Sequence, residues 1–162
     1  MASLFDALPK DMVEQAASTY KLDPRLVAAI SLVESSGNRW LNRFEPKTNK
    51  YVIDAPAHAK FCGIDVPTEV NNQMTSWGYM QVMGFRAREL GFALQLTMLA
   101  DPYIGLVWGC RSIRARAEQF NLTSVQDMIA AHNRGSIART PDGFYVNQEY
   151  VNKVLTRLAR DA

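Results

Sequence analysis

The 162-residue chain is poor in several features that mark specialised proteins. Cysteine occurs twice, at Cys62 and Cys110, at no recognisable metal-site spacing. A core of this size needs no disulfide, and Cys110 falls on an apolar helical stripe, so both are read as reduced, mostly buried thiols. No run approaches the ~20 apolar residues of a membrane span, which leaves no stable membrane insertion to expect. The N-terminus, MASLFDALPKD, lacks the basic start and long apolar stretch of a signal peptide. A dominant charge sign is missing too: 18 basic residues oppose 16 acidic ones, for a net charge of +2. A dedicated nucleic-acid binder would concentrate more positive charge. This balance suits a protein that approaches anionic polymers without being held by them. Internal repeats, linkers and low-complexity segments are absent.

What is present is ordinary globular material, 48% hydrophobic and 21% charged. The length predicts one domain over residues 1–162, with a core large enough to stand without staples. Asp11 to Tyr20 places Met12, Val13, Ala16, Ala17 and Tyr20 on one helical face. Asp23-Pro24 reads as an N-cap followed by proline at the first helical position, and Gly37 reads as the stop. The same pair at Asp101-Pro102 opens a long helix ending near Asn121, with Leu106, Val107, Cys110, Ile113 and Ala117 on its stripe. Thr123 to Asp127 offers a capping box for another helix that Gly135 ends, and Glu149 to Arg160 is a last amphipathic helix. Asn38 to Thr75 behaves differently. It holds Pro46, Pro56 and Pro67, lacks long periodicity, and shows only a strand-like stretch from Tyr51 to Ile53. Segments this long are commonly functional or carry small elements of their own. The fold class expected is mainly α, with a small irregular or β insertion.

Three clusters carry candidate chemistry. Glu34 shares the core-facing stripe of its helix with Val27 and Ile30 and lies in the last helical turn. Burial and the negative end of the helix dipole both disfavour its ionised form, which suits a general acid working near neutrality. The competing reading is an edge glutamate reaching solvent past a glycine cap. The stretch Ser76 to Met83 (SWGYMQVM) surrounds a glycine with aromatic, amide and flexible apolar groups. Gly78 permits close backbone approach, Trp77 or Tyr79 offers a flat face to a sugar ring, and Gln81 can both donate and accept. Core packing of Tyr79, Met80 and Met83 is the plainer alternative. The third cluster, Ala130 to Gly135, ends a helix with Asn133, and its His132 reads as a packed or hydrogen-bonded histidine.

In order, ESSG at Glu34–Gly37, SWGYMQVM at Ser76–Met83, AHNRG at Ala131–Gly135 and EYVNKVL at Glu149–Leu155 resemble the signature of the soluble lytic transglycosylase (SLT) family. That resemblance implies a lysozyme-like, mainly helical fold acting on peptidoglycan glycan strands. It implies Glu34 as catalytic acid and base with Tyr150 beside it. It implies a sugar site lined by Ser76, Tyr79, Gln81 and the main chain at Met83, with Asn133 contacting substrate. No metal or organic cofactor is implied, and a monomer is expected. Departures from the family pattern are His132 for a tyrosine, Arg134 for a small residue, and Gly84 where proline is common.

The reaction implied is cleavage of the β-1,4 bond between N-acetylmuramic acid and N-acetylglucosamine with a 1,6-anhydro product. A hydrolytic muramidase on the same fold is the nearest rival, because hydrolysis generally needs a second carboxylate. The insertion supplies Glu45, Asp54, Asp65 and Glu69 as candidates, Glu45 and Asp54 foremost. One of these two is expected within reach of the site, with the insertion forming a wall of the glycan groove. A non-catalytic wall-binding virion module is the other rival, which would not need Glu34, Gln81 and Tyr150 together. Without an export signal, a phage origin is expected, as an endolysin released through a pore or a wall-opening enzyme carried in the virion.

Overall fold

The computed structural model describes residues 3–160. Among them are eight α-helices and a three-stranded antiparallel sheet. Four helices start alike: α2 (Pro24–Ser35), α3 (Ala55–Cys62), α4 (Val66–Gln73) and α6 (Pro102–Gln119). Asp23, Asp54, Asp65 and Asp101 each accept a first-turn backbone N–H, and a proline occupies the first or second helical position behind each. The carboxylate satisfies a donor that the helix cannot, and proline has no N–H to leave unpaired. The others are α1 (Lys10–Thr19), α5 (Gly84–Glu89), α7 (Val125–Arg134) and α8 (Gln148–Ala159). Ser124 caps α7 through the Asp127 N–H, and Gly135 ends it in the left-handed conformation. At the end of α2 that conformation begins one residue before the expected glycine, at Ser36.

The core forms around α6, which packs against α1 and α7, while α2 packs against α8. Leu106, Cys110 and Ile113 of α6 are buried, as are Val27 and Ile30 of α2. Burying each large aliphatic side chain contributes about 1.5–3 kcal/mol. Phe92 meets Trp108 edge to face, 4.9 Å between ring centroids. Both cysteines are free thiols, and burial pushes Cys110 up to about 12, leaving it protonated at neutral pH.

The insertion is more helical than its prolines suggest. It contributes β1 (Asn42–Phe44), a 3-10 turn at Pro46–Tyr51, α3 and α4. Strands β2 (Thr75–Trp77) and β3 (Val82–Met83) complete the sheet in the order β1-β2-β3. Tyr51 to Ile53 forms no strand, contrary to its alternation. Tyr51 closes the 3-10 turn, and the Gln73 carboxamide bonds both backbone groups of Ile53, accepting from its N–H at 2.7 Å and donating to its carbonyl at 2.8 Å. A side chain from α4 thus replaces a neighbouring strand.

Two contacts fasten the insertion to the helical body. The fully buried carboxylate of Glu69 on α4 receives Arg88 Nε at 2.8 Å and Nη2 at 2.9 Å, and also Gln73 Nε2 at 2.9 Å. Close by, α4 lies directly on Gly84 of α5. A Cβ there would stand 2.2 Å from the Asn72 carbonyl oxygen and 2.7 Å from Gln73 Cα. No room remains for proline, which explains one departure from the family pattern. Gly84→Ala is expected to destabilise the protein by about 1–3 kcal/mol, because rigid backbone would have to shift. Thermal unfolding checks this, and an unchanged midpoint would mean that α4 does not sit this closely.

Candidate active site

Glu34 lines a groove of about 320 Å³. The insertion and the adjoining β2 form one wall with Arg43, Glu45, Thr48, Tyr51 and Ser76. Further lining comes from α6 and α7 through Ser112, Arg116, His132, Asn133 and Arg134. Gln81, Val82, Met83 and Phe85 complete the lining. The expected wall is therefore present, and of the two favoured carboxylates Glu45 reaches the groove. Asp54 and Asp65 cap helices, and Glu69 is buried against Arg88.

The Glu34 side chain is only 10% exposed. Tyr150, carried by α8, donates its hydroxyl to Glu34 Oε1 at 2.7 Å. Burial raises the carboxyl above the usual glutamate range, against the opposing pull of the Tyr150 hydrogen bond and the Arg43 charge. Tyr150 is itself pushed upward, first by burial and then by Glu34, so it stays a donor. His132 Nε2 lies 3.2 Å from the Met80 carbonyl and 3.7 Å from Glu34 Oε1. Desolvation lowers His132 to about 4, so the ring is neutral at pH 7. The carbonyl requires a donor, which places the proton on Nε2. The packed, hydrogen-bonded histidine expected from the sequence is thus also a neighbour of Glu34.

The remaining predicted residues divide. Gln81 lines the groove, but its carboxamide is already engaged. Nε2 donates to the carbonyls of Leu41 and Gly78, each at 2.9 Å, while Oε1 accepts from Ser76 Oγ at 2.8 Å and Arg43 Nη2 at 3.4 Å. With its backbone in the left-handed region at φ +48°, Gln81 ties the sheet together and orients Arg43. Ser76 lies opposite Met83 in the β2–β3 ladder, and both line the groove. Asn133 is exposed there; its Oδ1 accepts from Asn147 Nδ2 at 3.0 Å, which leaves its own amide N–H groups for a ligand.

Tyr79 does not line the groove. It is 8% exposed and belongs to the core, so the plainer packing alternative describes it. Gly78 behaves as expected: at φ +71°, an added Cβ would lie 2.3 Å from the Leu99 carbonyl oxygen.

Sequence reasoning missed Arg43, Tyr51, Phe85, Arg86 and Arg116 as groove residues. Tyr51 and Phe85 stack with centroids 5.1 Å apart, an aromatic surface built from segments distant in sequence. Only Arg116 had a local signal, since it follows Ser112 by one helical turn on the flank of the α6 apolar stripe.

A nearly buried carboxyl whose protonated form burial favours, with a hydroxyl donor behind it and an open groove with aromatic and amide walls around it, defines a general acid–base site suited to a polymeric sugar. The family model for the transglycosylase SLT domain matches residues 11–141. The chain belongs to this family of peptidoglycan lytic transglycosylases, and its mostly helical architecture with a small sheet is the lysozyme-like fold of that family. No curated protein and no solved structure matches it significantly. No helix among the described residues is long and apolar enough to cross a membrane.

Proposed function

We propose that the protein cleaves the β-1,4 bond between N-acetylmuramic acid and N-acetylglucosamine and leaves a 1,6-anhydro end. The observation that carries this reading is the pairing of buried Glu34 with Tyr150 at 2.7 Å. Glu34, whose protonated form burial favours, gives its proton to the glycosidic oxygen as the bond to C1 breaks. The resulting carboxylate keeps the Tyr150 hydrogen bond, and the His132 ring lies 3.7 Å away. It then takes the proton of the muramyl C6 hydroxyl, whose oxygen closes on C1. Glu34 ends protonated, ready for another turnover, and no water is consumed. Asn133 and the Tyr51–Phe85 surface are placed to hold sugar rings and acetamido groups.

Glu45 keeps hydrolysis as a second reading, because it is an insertion carboxylate within the groove. Its partner Arg43, 3.8 Å away, competes for the carboxylate that a water-activating base would need. Mass spectrometry of digested glycan strands separates the two: anhydro ends are one water lighter than reducing ends. The transglycosylase reading expects anhydro ends, and expects them still from Glu45→Gln. Reducing ends, lost in Glu45→Gln, would establish the muramidase.

Tyr150→Phe supplies a further test. Removing a hydrogen bond to a charged group should lower the optimum rate by roughly 10–100-fold. The same loss removes a downward influence on Glu34, so its pKa rises further. Since Glu34 must start protonated, the alkaline limb of the pH–rate profile should move to higher pH. A slower variant with an unmoved limb would assign Tyr150 to packing alone.

A further inference from the structure

Four arginines face the groove, yet the carboxylates account for only two of them. Arg43 pairs with Glu45, and Arg86 pairs with Glu89 while lying 3.4 Å from Ser112 Oγ. Burial disfavours the charged form of Glu34, and His132 is neutral at pH 7. Arg116 and Arg134 have no ion pair among the described residues. Arg116 is partly buried and makes one hydrogen bond, from Nη1 to the Gly135 carbonyl at 2.9 Å. Its other nitrogens are not sealed from solvent, because none is an orphaned buried atom. The guanidinium rests against Gly135, next in sequence to exposed Arg134.

Leaving a partly buried guanidinium without an anion is unfavourable, and a second cation beside it makes it more so. The effect is visible on Arg116, whose pKa is pushed down by burial and then by the Arg86 charge, with the Glu89 carboxylate that pairs with Arg86 offsetting only part of it. An anion entering this end of the groove would relieve both.

Resting on the transglycosylase reading, we propose that Arg116 and Arg134 form a carboxylate-binding subsite that recognises the acidic substituent hanging from a muramyl residue of the glycan strand. Two sources share that chemistry. In an intact strand the carboxylates belong to the peptide stem, because the lactyl carboxyl is consumed in the amide that carries it. In a stripped strand the lactyl carboxylate itself is free. Arg134 is one of this chain's departures from the family pattern, so the subsite is a property of this protein. It would make the enzyme sensitive to substituents that the reacting bond does not involve.

The test is strand binding, measured on a Glu34→Gln background so that no cleavage intervenes. Soluble uncrosslinked strands are compared in three forms: stem-bearing, stem-bearing with carboxyls converted to methylamides, and stripped by an amidase. Carboxylate-bearing strands should bind at least about fivefold tighter than the amidated ones, the scale of one charge-assisted contact. Arg134→Gln, an exposed position that should fold normally, should close most of that gap, and Arg116→Gln should do the same. Arg157→Gln, on the exposed face of α8 outside the groove, removes the same charge and should leave the gap intact. Preference for the stem-bearing or the stripped form identifies the carboxylate read. Equal binding of native and amidated strands overturns the subsite, as does a gap that Arg157→Gln narrows as much as Arg134→Gln does. Product analysis on the parent enzyme decides the transglycosylase reading separately.

Discussion

Glu34→Gln is expected to reduce lysis of cell walls by at least ~10²–10⁴-fold, the usual worth of general acid–base catalysis, while the protein stays folded. Glutamine keeps the size of the side chain and an oxygen that can accept from Tyr150, but it cannot shuttle a proton. The stability change has a definite sign. Burial raises the folded pKa of Glu34, so between its unfolded and folded values the native state holds more protons than the unfolded chain. Stability then falls as pH rises through that window and stays lower above it. A neutral isostere removes this penalty. The variant should therefore melt no lower than the parent at about pH 7, and the difference should shrink toward about pH 4, where the unfolded carboxyl also protonates. Turbidity clearing and thermal melts at both pH values check the pair of claims. Near-parental lysis would move the acid role elsewhere, and an unfolded variant would make Glu34 a structural residue.

Glu69→Gln should produce the largest stability loss. Its carboxylate and the Arg88 side chain are both fully buried, and the pair is bidentate. Removing one charge leaves the other buried and unpaired, which typically costs about 3–5 kcal/mol. Domains are stable by only about 5–15 kcal/mol, so much of the margin would go. For a chain of this length the melting point should fall by roughly 6–20 °C. Activity should fall with it, because Glu69 holds α4 onto α5 and thereby holds the insertion in place as a groove wall. The double variant Glu69→Met/Arg88→Met buries no charge and should recover most of the stability. A single variant that melts within a degree or two of the parent would show that the pair does not fasten the insertion.

The helical frame was legible because its signals are local. Asp23-Pro24, Asp101-Pro102, Ser124 and Gly135 mark helix ends whose caps need only neighbouring backbone. The same signal was present, shifted by one residue, at Asp54-Ala55-Pro56 and Asp65-Val66-Pro67. There it starts two helices in a segment whose prolines read as irregularity. Tyr51 to Ile53 misled for the opposite reason. Strand alternation needs a partner strand, and the Gln73 side chain had taken that place.

Glu34 was also accessible from one dimension, because helical spacing sets it on the buried stripe and its place in the last turn sets the sign of its perturbation. Its partnership with Tyr150 spans 116 positions, and no local pattern encodes a contact of that range. Folding likewise assigned roles that residue type left open. It sent Tyr79 to the core, engaged the Gln81 amide within the sheet, and separated Glu45 from three other insertion carboxylates that serve as caps or as a buried ion pair. It also left Arg116 and Arg134 facing the groove without acidic partners. The sequence by itself determined the helices outside the insertion and set Glu34 on a core-facing stripe, since periodicity and capping act within a few residues. Which side chains meet across the groove was decided only by the tertiary structure, because burial and charge pairing depend on segments brought together from across the chain.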